Sequence, residues 1–437
     1  MTERPTLPKA DFCDLADIEK HQRALWQRQA AYVAEASPLY RTHFAGHALT
    51  GRLEELPDLP FTTKEMLRDD QRDHEPFGTY LACPPERVSR VHRTSGTTGV
   101  AMNLALSAMD ALMTAEVGGR AQGASGLGPG HRVVHCLNYQ LWMGGYTDHA
   151  TLEATGATVI PYGVGGTVGL IHTIRELGIT AISCTPSYPA VLEKVLAEHY
   201  PGVAPKDLGL KLGLFGGEAG LDEPAYRERI ETTWGMKPRN ANYGVSDVLC
   251  NFAGQSEVDN DLHFVALDVL YPELIDPDTG AVKPFADGES GELVLTHLAK
   301  ECQPLVRFRS GDIIRVTGTG RARCGRTAPR FRVIGRNDDM VVVRGLNMFP
   351  AMVAGVLHTF AELSGEYRIV LDTPPPYDVL PVEAELADGV TASDGLAEAI
   401  EHRLKKTLGA TAKVTLLPSH SLPRTEGKTK RVIRSHT

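Results

Sequence analysis

The sequence predicts an α/β fold, with a large N-terminal domain of mixed sheets flanked by helices and a small C-terminal α+β domain. Three observations carry that expectation. Short apolar runs alternate with amphipathic segments over residues 130 to 245. From about 246 to 320 the texture changes to strand-like pieces broken by turns. The residues beyond 335 then read as a compact unit of their own. At roughly 100–200 residues per domain, a chain of 437 residues has room for two or three sizeable cores.

In the first region "RVVHC", "ATVIP", "TAISC" and "KLGLF" read as strands, and "TVGLIHTIRELG" and "SYPAVLEKVLAEHY" as helices. Strand and helix in turn is the pattern of a mostly parallel sheet covered on both faces. "DPDTG" and "ADGESGELVLT" mark the smaller antiparallel region that follows. In the last part "DMVVV", "YRIVLD", "VEAEL" and "AKVTLL" look like strands, while "PAMVAGVLHTFAEL" and "GLAEAIEHRLKKTLG" carry helical periodicity. The polar, glycine-led "GRNDDM" at 335–340 is the expected boundary, giving domains 1–334 and 335–437. So short a segment suits a pivot better than a tether.

Composition narrows the function. The chain is 42% hydrophobic and 23% charged, with a formal charge of −9. An acidic balance argues against a nucleic-acid binder, which needs a basic face. Seven scattered cysteines without a CxxC pair point to a reducing compartment. The N-terminus has no apolar signal region, and no run of ~18 apolar residues occurs, so neither secretion nor a membrane span is expected. The expectation is a cytoplasmic protein.

"VHRTSGTTGV", residues 91–100, packs small hydroxyl and glycine residues together. Such a run has little to bury but wraps backbone N–H groups and hydroxyls around an anion. Two other glycine stretches fail as phosphate loops. "YGVGGTVG" has Val168 where a dinucleotide fingerprint needs its third glycine, and "EGKTK" has Leu422 at the leading glycine position of a P-loop. Taken alone, "TSGTTG" reads as a serine/threonine-rich turn. Four companions accompany it: "NYGVSD" (242–247), "RFRSGD" (307–312, with Asp312 after a tight turn), "GRNDDM" and "LPRTEGKTKR" (422–431).

In this order and at these intervals, the motifs resemble the adenylate-forming superfamily of acyl-CoA ligases and adenylation domains. The nearest resemblance is to the phenylacetate–CoA ligase branch, and it covers almost the whole chain from "PFTTKEMLRDD" at residue 60 onward. It implies a reaction in two halves. A carboxylate attacks the α-phosphate of ATP to give an acyl-adenylate and pyrophosphate, and a thiol, that of coenzyme A, then displaces AMP. Positioning and electrostatics should dominate both.

The resemblance also implies roles. Thr94, Ser95, Gly96, Thr97, Thr98 and Gly99 would form the loop over the β- and γ-phosphates. Gly217, Glu218, Asn242, Tyr243 and Ser246 would hold the adenylate, with Tyr243 stacked on the base. Asp312 would take both ribose hydroxyls, where two acceptor oxygens suit two neighbouring donors. Lys428 matches the catalytic lysine, whose compact charge neutralises the attacking carboxylate and α-phosphate. Arg336 would contact ATP, and Asp338 matches the hinge of the mobile domain. Asp247 would bind magnesium. Tyr139, Trp142, Met143, Gly144 and Gly216 would line the acyl pocket, though "NYQLWMGGYTDH" (138–149) equally suits a packed strand-to-helix corner. His149 matches a family histidine near that pocket and reads best as a satisfied structural one.

Departures from the family pattern are visible. Val100 and Ala101 stand where a cation and a proline are usual. Asp247 replaces a glutamate and reaches about one methylene less far, so metal contact can run through water. Asn242 replaces an aspartate but keeps an acceptor oxygen. Relatives often hold a structural zinc; here His263 and Cys324 remain, while Ser256 and Ala322 occupy the other ligand positions, and Cys250 and Cys302 could substitute only if the fold brought them near. A tetrahedral site needs four ligands, so no zinc is expected. The expected partners are a small aromatic carboxylic acid, ATP with Mg2+, and coenzyme A, with a carrier-protein thiol or an amine as the alternative acceptor. A degenerate member that binds adenylates without turnover is a third reading. No nucleic acid or membrane is expected, and a homodimer stays open.

Overall fold

The computed structural model describes residues 5–94, 101–217, 221, 224–344, 346–423 and 430–435. They form two compact units. The first comprises Met1–Glu218, Ile230–Ser310 and Ile314–Arg332; the second comprises Ala219–Arg229, Gly311–Ile313 and Val333–Thr437.

The first unit opens with helices α1 (Leu15–Ala36), α2 (Pro38–His43) and α3 (Lys64–Asp73). The hydroxyls of Ser37 and Thr63 accept from backbone N–H groups at the starts of α2 and α3, as side-chain caps do. A separate hairpin follows, β1 (Val88–Arg93) paired antiparallel with β2 (Asn103–Ser107). Next comes α4 (Ala108–Ala124), whose capping box joins Ser107 and Asp110. The alternating stretch is β3 (Arg132–His135), α5 (Met143–Glu153), β4 (Thr158–Pro161), α6 (Thr167–Glu176), β5 (Ala181–Cys184), α7 (Tyr188–His199) and β6 (Leu212–Gly216). After α8 (Pro224–Trp234) the strands are β7 (Lys237–Val245), β8 (Leu249–Gln255), β9 (Leu262–Phe264), β10 (Leu270–Ile275), β11 (Val282–Lys283), β12 (Ser290–His297), β13 (Phe308–Gly318) and β14 (Arg330–Arg336).

Twelve of these strands make one sheet in the order β11-β10-β12-β13-β14-β9-β8-β7-β6-β5-β3-β4. Pairing is parallel from β4 through β3, β5 and β6 to β7, then antiparallel at β7–β8 and β8–β9. The expected mixed α/β class is therefore what forms, and the change of texture near residue 246 is the change of strand direction. Strands β5 and β6 are buried at every residue, as strands of a sheet covered on both faces are.

The second unit carries β15 (Val341–Val343), β16 (Leu346–Met348), α9 (Pro350–Leu357), β17 (Leu363–Leu371), β18 (Leu380–Leu386), α10 (Leu396–Leu408), β19 (Ala412–Leu417) and β20 (Val432–Arg434). Its sheet runs β19-β18-β17-β20, and Val353, Ile369, Val382, Ile400, Leu404 and Val432 belong to its core.

Two local readings need correction. Helix α9 stops at Leu357 instead of running through "HTFAEL", because Leu363 is needed at the start of β17. Asp312 does not follow a tight turn; it lies inside the long strand β13, directly after Gly311 at φ 75°. Glycine takes that left-handed backbone without strain.

Candidate active site

The hydroxyl-rich run is bracketed by β1 and β2. The Thr94 N–H donates to the Met102 carbonyl at 2.9 Å, and the Met102 N–H donates to Thr94 Oγ1 at 3.0 Å. Thr94 therefore closes the base of the loop. Ser95, Gly96, Thr97, Thr98 and Gly99 lie outside the described residues, as do Glu218 and Lys428. The base is also fastened to the expected acyl segment: the Arg93 N–H donates to the Leu141 carbonyl at 2.7 Å, and His92 Nε2 lies 2.8 Å from Thr147 Oγ1.

That segment is the corner between β3 and α5. Trp142 is the N-cap residue of α5, followed by Met143, which is buried with Leu104, Leu106 and Cys250. A Cβ on Gly145 would sit 2.3 Å from the Asn138 carbonyl, so only glycine lets the chain fold back here. A Cβ on Gly144 would sit 3.0 Å from the Trp142 ring, so the indole lies flat against that turn. His135, at the end of β3, places Nε2 3.0 and 3.1 Å from the carbonyls of Gly144 and Gly145 and Nδ1 3.0 Å from Ser183 Oγ. Burial lowers its pKa to about 4, so it stays neutral and donates from Nε2 to the turn.

Tyr139 Oη lies 2.8 Å from His149 Nδ1, and His149 Nε2 is 3.2 Å from Glu153 Oε1. His149 is thus a satisfied, buried histidine that fixes the tyrosine, and burial pushes the Tyr139 phenol up. Tyr146 stacks on His149 at 6.1 Å, and Arg90 lies over the Tyr146 ring at 4.4 Å.

Gly216 ends β6 beside Asn242 of β7, and Gly217 follows it. A Cβ on Gly216 would meet the Asn242 Cβ at 2.8 Å, and one on Gly217 would reach the Trp142 ring at 3.9 Å. Adenylate and acyl candidates thus adjoin one another. The Asn242 amide donates from Nδ2 to Asp148 Oδ2, and Cys250 Sγ donates to Asp148 Oδ1 at 3.4 Å. Asp148 is buried, and desolvation raises its pKa to about 7. Tyr243 meets Phe252 and Phe331 edge-on, both at 5.3 Å.

Ser246 starts the turn after β7, closed by the Val248 N–H donating to the Val245 carbonyl at 2.8 Å. The next residue, Asp247, is 5% exposed. Its Oδ2 pairs with Lys64 Nζ at 3.0 Å, while Oδ1 has no hydrogen-bond partner among the described residues. From below, the buried Lys300 donates to the Asp247 carbonyl at 2.8 Å; burial pulls its ammonium pKa down, against the pull of Asp110 and Asp247.

In the second unit Arg336 joins the other candidates. Its Nη1 contacts Asp312 Oδ1 at 2.8 Å, and its Nε contacts Asp338 Oδ1 at 2.9 Å. The Asn337 N–H donates to the Gly311 carbonyl at 2.7 Å, which sets this triad's register. The arginines flanking Asp312 in sequence serve the fold instead: Arg307 pairs with Glu273 at 2.9 Å, and Arg309 with Glu292. On either side of Lys428, the Leu422 N–H donates to Glu385 Oε2 at 2.8 Å, and Arg431 pairs with Glu366 at 2.6 Å.

Comparison with known proteins gives the family of the chain. Residues 345–436 match the family model of the AMP-binding enzyme C-terminal domain. The chain is 35% identical to a phenylacetate-coenzyme A ligase of Thermus thermophilus, an alignment covering 99% of this chain and 98% of the relative. It is 34% identical to the phenylacetate-coenzyme A ligase of Escherichia coli, covering 98% of both. The chain belongs to the phenylacetate–coenzyme A ligase family. A solved 2-hydroxyisobutyryl-CoA ligase in its postadenylation state with R3-HIB-AMP matches with a TM-score of 0.88 at 28% identity, covering 100% of this chain and 95% of that one. The same enzyme with 2-HIB-AMP and CoA matches at 0.71 and 29% identity, covering 99% and 95%.

As a phenylacetate–coenzyme A ligase family member, the chain is an AMP-forming acid–thiol ligase that uses ATP and coenzyme A. No helix among its described residues is long and apolar enough to cross a membrane. Around the family's zinc position, Asp259 joins His263 and Cys324, with one donor atom of each within 4.8 Å of the others. The sequence reading did not count Asp259. Cys250 and Cys302 do not join them, being hydrogen-bonded to Asp148 and to Cys83.

Sequence reasoning also passed over Asp148, His135, Lys64 and Lys300. Asp148 had a signal, an acid among apolar and glycine residues in "LWMGGYTDH". The two lysines had none, because nothing local ties either to Asp247, 183 positions from Lys64 and 53 from Lys300.

Proposed function

We propose that this ligase activates an aryl or arylalkyl carboxylic acid. The acid's carboxylate attacks the α-phosphate of ATP, pyrophosphate leaves, and the coenzyme A thiol then displaces AMP from the acyl-adenylate. One observation carries the aromatic reading: the Trp142 indole lies against the Gly144 turn and beside Gly217, in a corner also furnished with Tyr139 and Met143. A flat apolar wall next to the adenylate strand suits a planar acyl group.

The residue roles proposed are those that the family resemblance implies. Residues 94–99 cover the β- and γ-phosphates, and Lys428 neutralises charge at the reacting carboxylate and α-phosphate. Asn242, with Nδ2 committed to Asp148, turns Oδ1 toward a donor such as the adenine amino group. Asp312 takes the ribose hydroxyls while Arg336 holds its carboxylate in place, and Asp338 is the pivot of the C-terminal domain, residues 335–437. Gly217, Glu218, Tyr243 and Ser246 complete the nucleotide site.

Magnesium fits one residue. Asp247 presents a buried carboxylate oxygen with no hydrogen-bond partner among the described residues, and Lys64 anchors the other oxygen. Asp247 would hold the ion, directly or through water. When bound, Mg2+ supplies charge neutralisation to the phosphates. The cysteine pattern and chemistry suit a cytoplasmic enzyme.

The experiment is ATP–pyrophosphate exchange across benzoates, anthranilates, phenylacetates and aliphatic acids, with coenzyme A then added to the adenylate. Aryl-acid-dependent exchange followed by thioester formation supports the reading. Exchange only with aliphatic acids refutes the aromatic assignment.

A further inference from the structure

Cys83 and Cys302 are 219 positions apart in sequence, yet their sulfurs lie 3.0 Å apart in the first unit. The two segments are already tied together. The Ala82 N–H donates to the Cys302 carbonyl at 2.7 Å, and the Tyr32 hydroxyl lies 2.9 Å from the Ala82 carbonyl and 2.8 Å from the Glu301 carbonyl. On the far side, the Asp110 carboxylate accepts from the N–H groups of Glu301 at 2.7 Å and Cys302 at 3.0 Å. Two thiols on backbone held this firmly meet the proximity requirement of a disulfide with little chain movement.

The two sulfurs differ. Cys83 lines a cavity of about 200 Å3 together with Arg28, Tyr32, Arg87 and Glu301, whereas Cys302 does not face it and is wholly buried. Arg87 lies on the cavity wall, 3.0 Å from Glu301. The shared hydrogen bond draws the Cys83 thiol below its ordinary range and raises that of Cys302, which burial raises further. The thiolate is the reacting form, so reactivity concentrates on the sulfur that the cavity reaches.

We propose that Cys83 and Cys302 form a peroxide-reactive dithiol, with Cys83 the attacking and Cys302 the resolving sulfur. The Cys83 sulfur attacks one oxygen of hydrogen peroxide, the O–O bond breaks, and the products are a sulfenic acid on Cys83 and water. The Cys302 sulfur then attacks the Cys83 sulfur, the S–O bond breaks, and a second water leaves as the disulfide forms. Both thiol protons end in water, two electrons pass to the peroxide, and a dithiol reductant reverses the change. Neither cysteine belongs to the acid or nucleotide groups described above.

The test is mass spectrometry of the full-length protein after hydrogen peroxide. The wild type is expected to lose two hydrogens, yield a Cys83–Cys302 cross-linked peptide, and regain both on dithiothreitol. In Cys302→Ser, Cys83 should stop at the sulfenic acid and take up dimedone. In Cys83→Ser, Cys302 should stay unlabelled. A cross-link elsewhere among the cysteines, or Cys83 and Cys302 both recovered as free thiols from the wild type, overturns the proposal. Dimedone on Cys302 in Cys83→Ser overturns the assignment of the attacking sulfur. The wild-type peptide map stands even if a variant fails to fold.

Discussion

The side-chain amide of Asn242 donates to the carboxylate of Asp148, an acid buried on α5 beneath the β6–β7 strand ends. This bond couples the expected nucleotide contact to a group whose pKa burial raises to about 7. A carboxyl whose folded pKa exceeds its unfolded value binds more protons in the fold. Its charged form is disfavoured there, so this group's contribution to stability falls as pH rises from about 4 to 7 and levels off above.

The difference from the ordinary value of 3.8 corresponds to on the order of 4 kcal/mol at full extent. Asp148→Asn keeps the shape and removes the titration. Its stability relative to wild type is therefore expected to rise with pH between 4 and 8, as read by urea midpoints. Parallel curves for the two proteins across that window would remove Asp148 as the titrating group.

Arg336 pairs with Asp312 and Asp338 at once, and the two acids raise its pKa against the effect of burial. If Asp312 takes the ribose, Asp312→Asn weakens two charge-assisted hydrogen bonds. The KM for ATP should rise about ten- to hundred-fold, in line with roughly 1.5–3 kcal/mol for bonds to charged groups. The KM for the acid should stay near wild type. Equal changes in both constants would point to a general loss of structure instead.

Much of this was legible in the sequence because its signals are local. The strand–helix alternation at 130–245 and the helix Leu396–Leu408 need only periodicity. The motifs proposed for the nucleotide site are short contiguous runs, so a resemblance could suggest roles for Asn242, Asp312 and Arg336. Illegible parts depend on distant pairs. Lys64 reaches Asp247 across 183 positions, and Asp110 reaches Cys302 across 192. The tight turn expected before Asp312 failed for a different reason: a glycine with positive φ also fits inside a strand, and sequence does not distinguish the two.

Asp247 offers a buried oxygen with no hydrogen bond among the described residues. Asp247→Asn should lower pyrophosphate exchange by about a hundred-fold, comparable to losing one strong electrostatic contact at the phosphates. Asp247→Glu should keep most of the rate but shift the magnesium concentration for half-maximal exchange. An unchanged magnesium titration in Asp247→Glu would take this residue out of the metal shell.

Lys428 lies beyond Leu422, whose N–H is anchored to Glu385. Lys428→Ala should reduce exchange by about a hundred- to thousand-fold while leaving the melting temperature unchanged, since the positions flanking it keep their own contacts. Undiminished exchange would remove Lys428 from the adenylation step.

Tyr139 separates a structural from a substrate role at the acyl corner. Its hydroxyl lies 2.8 Å from His149 Nδ1, and the other ring nitrogen faces Glu153. Tyr139→Phe leaves that buried nitrogen without its partner, which should cost about 1–3 kcal/mol of stability. If the phenol ring also lines the acid's slot, the variant's ring remains but its tilt is no longer fixed. The KM for the aryl acid should then rise several-fold while the KM for ATP holds. A stability loss with both KM values unchanged would make the Tyr139–His149 pair a packing device and move the acid pocket toward Trp142 and Met143.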